Sequence, residues 1–185
     1  FPPLLFVTFE KEFGISLANI GTLIAISFIS QLCMDFTASK LPRIFNTRAM
    51  IVAGQICSSV GLLCIALLPK IMPAYPGLLI GTVIAAFGSG IIEVLGSPTI
   101  EACPLENKNK VLSILHSFYC WGLVATVLIS TAFFYFFGTE NWEILTCIWA
   151  CVPAVNAGMF LKVPIYHIDH DPTKEKSDRK ALRSP

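Results

Sequence analysis

Charge is what this sequence has least of. Asp, Glu, Lys and Arg make up 14% of its 185 residues, against about one quarter in an average soluble domain. Five stretches contain none of the four: Phe13–Met34, Ala49–Pro69, Ile71–Ile92, Val111–Thr139 and Ile144–Leu161. No surplus of either sign stands out, because the formal net charge is +1. That excludes a nucleic-acid-binding surface built on basic residues. No CxxC or Cys/His ligand spacing is present, so neither a metal centre nor a cofactor is expected. Six of the 7 cysteines lie inside the apolar runs (Cys33, Cys57, Cys64, Cys120, Cys147 and Cys151), and Cys103 has no spaced partner. Buried in such runs, Cys serves as a small apolar filler, which argues against a disulfide framework. The opening residues lack the basic segment of a signal peptide.

Apolar length is what the sequence has in abundance. Hydrophobic residues make up 55% of it. At about 1.5 Å per helical residue, roughly 20 apolar residues cross a hydrocarbon core of about 30 Å. Four of the five charge-free runs reach that length and the last falls just short. The expected class is an all-α polytopic membrane protein with six spans in residues 1–163. They are a truncated first span over 1–13, whose beginning reads as missing, then 17–38, 48–69, 76–98, 110–137 and 142–163. Pro69, Pro73 and Pro76 are expected to stop the helices on either side of the 70–77 loop. Residues 164–185 read as a charged linker towards a possible second half. Within it, Tyr166–Asp171 holds two His and two Asp and reads as a solvated loop, with no second cluster to complete a metal site.

The loops give an orientation. Lys40, Arg43 and Arg48 follow the second span, Lys108 and Lys110 the fourth, and the tail from Lys162 holds the largest group. Only Lys11 and Lys70, of 13 basic residues, fall on the other side. The positive-inside rule then makes both ends of this segment cytoplasmic.

An ionisable group retained inside a membrane is a functional candidate by default, and three qualify. Glu93 lies on a helical face with Ala85, Ser89 and Ser97, flanked by Gly90 and Gly96. Small residues at that spacing let a neighbouring helix approach, so the carboxyl is expected to face a partner helix or a polar cavity. The plainer reading is a protonated Glu bonded to the adjacent helix. His116 sits on a polar stripe with Ser113, Ser117 and Cys120, close to Trp121, and reads either as an inter-helix hydrogen bond or as the lining of a solute pathway. Asp35 ends the ridge Ser27, Gln31, Asp35. It reads as a structural or gating partner of Arg43 or Arg48.

The assembled pattern resembles the amino-terminal half of a major facilitator superfamily transporter. The stretch from Gln31 through Asp35 and Lys40 to Arg48 is similar to that superfamily's loop signature, with Asn46 in place of a glycine as a residue tolerant of left-handed backbone. Gly88-Ser-Gly-Ile-Ile-Glu93-Val-Leu-Gly-Ser-Pro98 resembles span four of the fucose permease-like sugar:proton symporters, and Phe9–Ser16 their first connection. The second acid that the prototype carries in its first span has no counterpart in Phe1–Leu5. The resemblance implies a symporter in the cell membrane working by alternating access on a small solute, a sugar, with protons and a second six-helix half as partners. By the same resemblance Glu93 is the proton or substrate acid, with His116, Trp121 and Ser89 as cavity residues. Two other classes stay open. One is an intramembrane serine hydrolase with Ser89 as nucleophile and His116 as base. The other is a non-catalytic scaffold or receptor subunit.

Overall fold

A computed structural model gives the fold, and the residues described are 5–38, 46–104, 106–163 and 165. Lys40, Arg43 and the tail from Tyr166 lie outside them, as does the side chain of Asp35. Six α-helices follow one another: α1 Phe6–Phe13, α2 Leu17–Ala38, α3 Thr47–Ile71, α4 Ala74–Glu101, α5 Lys108–Phe137 and α6 Trp142–Lys162. A 3-10 turn, Thr139–Asn141, leads into α6. Helices α2 to α6 are long and apolar enough to cross a bilayer. There is no strand among the described residues. A helix satisfies its backbone groups internally, as a hydrocarbon solvent demands.

Helix ends differ from the sequence expectation in two instructive places. Pro69 does not stop α3, which runs on to Ile71. The amide that Pro69 lacks would have bonded only in the last turn, and the Met72 amide still donates to the Leu68 carbonyl at 3.0 Å. Pro76 sits in the first turn of α4, where an amide is orphaned in any case. Asn46 is not left-handed: its φ is −65°. It caps α3 instead, its side-chain oxygen accepting from the Arg48 amide at 2.9 Å, a role Asn fills well.

The tightest contact in the bundle is the antiparallel pair α3 and α4. A methyl group added at Gly61 would lie 2.3 Å from the Ala85 amide nitrogen, and one at Gly88 2.4 Å from that of Ser58. At Gly81 it would meet the Ile65 backbone at 2.7 Å. Backbone therefore touches backbone over about three turns of α4, from Gly77 to Gly88, the packing mode that substitutes in lipid for the absent hydrophobic drive between helices. Of the stripe Ala85, Ser89, Glu93 and Ser97, the seam takes in only Ala85. It runs along Gly77, Gly81, Ala85 and Gly88, and this rotation leaves Ser89 and Glu93 on a different face.

Other helices are added to that pair. On α2, Met34 covers Gly90 of α4. Helix α6 lies against α3, with the Ser59 hydroxyl donating to the Ala150 carbonyl at 2.9 Å. Arg48 donates to the Val163 carbonyl at 2.9 Å, and Lys108 to the Glu101 carbonyl at 2.6 Å. These bonds bring the start of α3 to the end of α6 and the end of α4 to the start of α5, giving one basic end of the bundle. At the other end, Phe9 and Phe13 meet the Trp142 ring edge-on, while the Trp142 indole donates to Glu12 at 2.6 Å. An ion pair between Lys70 and Glu143 closes the same end. Helix α5 buries only Ser130 among its own residues, which accepts from the Trp149 indole at 3.1 Å. Many of its other aromatic and aliphatic side chains, Leu128, Tyr135 and Phe136 among them, are exposed.

Gly61→Leu is expected to cost about 1–3 kcal/mol or more, since no side-chain movement relieves a clash with backbone. Thermal unfolding in detergent should show a lowered midpoint or loss of monodisperse protein. Gly122→Ala is the control, because nothing lies within 4 Å of that position; its midpoint should stay level or rise, Ala being the better helix former. Equal midpoints for the two variants would remove the seam from the account. Trp142→Phe should also lower the midpoint, by the size of one hydrogen bond to a carboxylate, about 1.5–3 kcal/mol. Glu12→Gln, which keeps an acceptor, should do less.

Candidate functional site

Rotation of α4 about its seam decides what Glu93 meets. Gly88 is pressed on α3, and five residues further on Glu93 is turned towards α2, where the Gln31 side-chain amide donates to its carboxylate at 2.5 Å. Gln31 is one turn before Met34, the residue that covers Gly90, so the same helix contact brings both pairs together. Glu93 is nevertheless exposed, because the carboxylate forms part of the wall of an open cavity.

That cavity holds about 780 Å³ and draws side chains from five helices, within the range of small-molecule sites. Helix α2 contributes Gln31, and α3 contributes Gln55 and Ser58. From α4 come Ser89, Ile92, Glu93, Gly96 and Ser97. Helix α5 adds Leu115, His116, Phe118 and Tyr119, and α6 adds Val152, Pro153 and Asn156. At 1.5 Å per residue, Gln31, Gln55, Glu93, His116 and Asn156 lie about 9–12 Å in from the basic end, and Ser58 about 16 Å. Polar groups from five separate runs thus form one layer. Among the described residues, neither Lys nor Arg lines it.

The residues singled out from sequence are distributed unevenly around this space. Glu93, His116 and Ser89 all line it. Ser89 donates to the Ala86 carbonyl of its own helix at 3.1 Å; no hydrogen bond joins it to His116 among the described residues. Trp121 does not line the cavity and is 72% exposed. Five residues beyond His116, it lies about 140° round α5 and faces away. Phe118 and Tyr119 supply the aromatic surface in its place. Arg48 is held by the Val163 carbonyl at the bundle's end, outside the cavity. The pairing of Asp35 with Arg43 falls outside the described residues.

Gln55, Ser58 and Asn156 carry no charge, so charge-based reading passes over them. A signal was available: amide side chains within a membrane span are costly unless bonded, and Gln55 and Asn156 are the two such residues in α3 and α6. No group of His, Cys, Asp and Glu among the described residues is placed to hold a metal.

The arrangement is a concave space between apolar helices, lined by one carboxylate, one imidazole, several neutral donors and acceptors, and aromatic side chains. The Major Facilitator Superfamily model matches residues 1–185, the whole chain. No curated protein and no solved structure matches it at a significant level. With long apolar helices, a polar cavity between them and a family match over its full length, the chain belongs to the major facilitator superfamily and is an integral, multi-pass membrane transporter that acts on a small-molecule solute from within the bilayer.

Proposed function

We propose that this chain is the amino-terminal half of a proton-coupled sugar carrier of the cell membrane, with Glu93 as the coupling acid. The observation that carries the reading is the Gln31–Glu93 hydrogen bond at the cavity wall. A cation beside a membrane carboxylate would hold it charged. Glu93 has a neutral amide instead, which satisfies one oxygen and leaves the other towards the cavity. Ionised, the carboxyl only accepts; protonated, it donates to a solute hydroxyl. Taking up a proton also removes the charge whose desolvation would oppose closing the cavity.

In this scheme the solute enters the layer of polar groups between α2 to α6, and a second six-helix half closes over it from the other side. Rocking of the two halves then exposes the site to each face of the membrane in turn. His116 lines the same space, and an imidazole can donate and accept hydrogen bonds, so it serves as a second polar contact. The basic end, carrying Arg48, Lys108 and Lys162, is the cytoplasmic one by the charge rule.

The test is uptake of labelled D-glucose, D-galactose and L-fucose by cells expressing the full reading frame, under an imposed inward proton gradient. Native protein should accumulate at least one sugar. Glu93→Gln keeps an acceptor for Gln31 and should abolish accumulation while preserving sugar exchange at equilibrium. Accumulation that persists in Glu93→Gln would take coupling away from this residue, and no uptake of any of the three despite surface expression would end the sugar assignment. Gln31→Leu should lower uptake at subsaturating sugar about tenfold, the size of one lost hydrogen bond to a charged group.

A further inference from the structure

A second hollow lies on the outer side of α3. It holds about 470 Å³ and is lined by Ala49, Val52, Ala53 and Ile56 of α3 and by Leu161 of α6, with Asn46 and Arg48 at its basic end. At 100° per residue, Ala53 stands about 160° round the helix from Gln55, and Ile56 as far from Ser58. The hollow therefore opens away from the cavity between α2 and α6. One end is charged and the rest is apolar. The Arg48 guanidinium carries several N–H donors, and its bond to the Val163 carbonyl anchors it while using only one nitrogen. Asn46 caps α3 through its oxygen, so its amide nitrogen is a further donor. Neither Asp nor Glu lines the hollow among the described residues. From Arg48 to Ile56 the helix climbs about 12 Å, close to the roughly 15 Å of hydrocarbon in one leaflet.

We propose that this hollow binds an anionic phospholipid of the leaflet at the basic end, with its phosphate on Arg48 and Asn46 and an acyl chain along Ala49, Ala53 and Leu161. Charge complementarity selects the occupant. A phosphodiester matches the guanidinium in both sign and geometry. A choline headgroup brings a cation to a place that offers no acid, whereas a glycerol headgroup brings only hydroxyls. Lys162, next to Val163 in the chain, adds basic charge at the same end. Basic pockets between membrane helices on the cytoplasmic side suit anionic headgroups, and by the charge rule that side is this end. A lipid so placed touches both α3 and α6, the pair already tied by Ser59 and Arg48. The assignment depends on neither the solute nor the coupling ion.

The test is native mass spectrometry of the full-length protein in detergent, titrated with dioleoylphosphatidylglycerol or dioleoylphosphatidylcholine and read as the affinity for the first lipid bound. Native protein should bind the glycerol lipid about tenfold more tightly. Arg48→Gln should lose that preference and bind the two lipids alike. Ala53→Phe, at an exposed position, fills the hollow while keeping the guanidinium and its bond to Val163. It should weaken binding of both lipids about tenfold. Val155→Phe adds a ring to α6 at a residue outside both hollows, and should bind as native protein does.

Equal affinity of native protein for the two lipids overturns the proposal. So does a preference that survives Arg48→Gln, which places the headgroup elsewhere on the basic end. A loss in Val155→Phe as large as that in Ala53→Phe overturns it too, because the effect then belongs to the apolar surface at large. Glycerol 3-phosphate separates a lipid from a soluble phosphate ester: a large excess should leave the lipid bound, and displacement would give the hollow to the soluble anion. Should Arg48→Gln fail to fold without its bond to Val163, Ala53→Phe decides alone. Undiminished binding there overturns the site, since a hollow covered by another segment of the chain admits no lipid and is indifferent to being filled.

Discussion

The backbone contact between α3 and α4 is the constraint on which the rest depends. In water, two apolar helices are pushed together by the solvent. In hydrocarbon that push is absent, and close packing between small residues has to replace it. Gly61 against Ala85 and Gly88 against Ser58 supply it here, and they do so at one rotation only. Turning α4 by one residue would carry its glycines off α3 and drive Ala86 or Ile84 into the gap. The same rotation that seats Gly81 and Gly88 aims Glu93 at α2 and leaves Ser89 on the cavity. On the α3 side, it presents Gln55 and Ser58 next to the seam rather than to lipid. Site geometry is thus a by-product of helix packing, fixed far more rigidly than side-chain rotamers alone would fix it.

The peripheral helices relate to this pair in graded fashion. Helix α6 is tied to α3 by a buried hydrogen bond from Ser59 and by Arg48 at the bundle's end. Helix α2 is tied by the contact of Met34 with Gly90 and by the Gln31–Glu93 bond. Helix α5 is attached mainly through its ends and the Ser130–Trp149 bond. An element so loosely held can shift at lower cost than α3 or α4. It carries His116, Phe118 and Tyr119 into the cavity, so a change in its position would alter the cavity's shape while the seam stays intact.

The membrane helices were legible in the sequence because hydrocarbon imposes a coarse rule, about 20 uncharged residues in a row, and runs such as Ala49–Pro69 obey it. Glu93 and His116 were legible for the same reason, as exceptions to it. Finer matters were not. The four-residue spacing of Ala85, Ser89, Glu93 and Ser97 marked the face that turns Glu93 to α2 and the cavity, but not the seam along Gly77, Gly81 and Gly88, because which small residues meet a neighbour's backbone depends on where that neighbour lies. Asn46 stood where a turn glycine was expected and proved to be a helix cap, a role set by the three-dimensional course of the chain. Trp121 drew notice by its size but lies outside the cavity, while Gln55 and Asn156 were overlooked for want of charge. That these residues share one depth is a tertiary fact. It follows from where each helix begins, and no single run records it.

Three carboxylates in this bundle differ in the partner each has and in how far into the bundle each lies. Glu143 is paired with Lys70, and Glu12 accepts from the Trp142 indole. Both stand at the end away from the basic loops, where water screens them and the partner's proton stays where it is. Glu93 lies about 12 Å into the bundle from the opposite end, and its donor is a carboxamide. A carboxylate paired with an ammonium in hydrocarbon is held ionised, because losing either charge strands the other. A carboxylate paired with an amide carries no such penalty: protonation neutralises it, and Gln31 can turn its own oxygen to accept in return. The neutral partner thus leaves Glu93 without a fixed counter-charge, which is what the proposed coupling role requires of it.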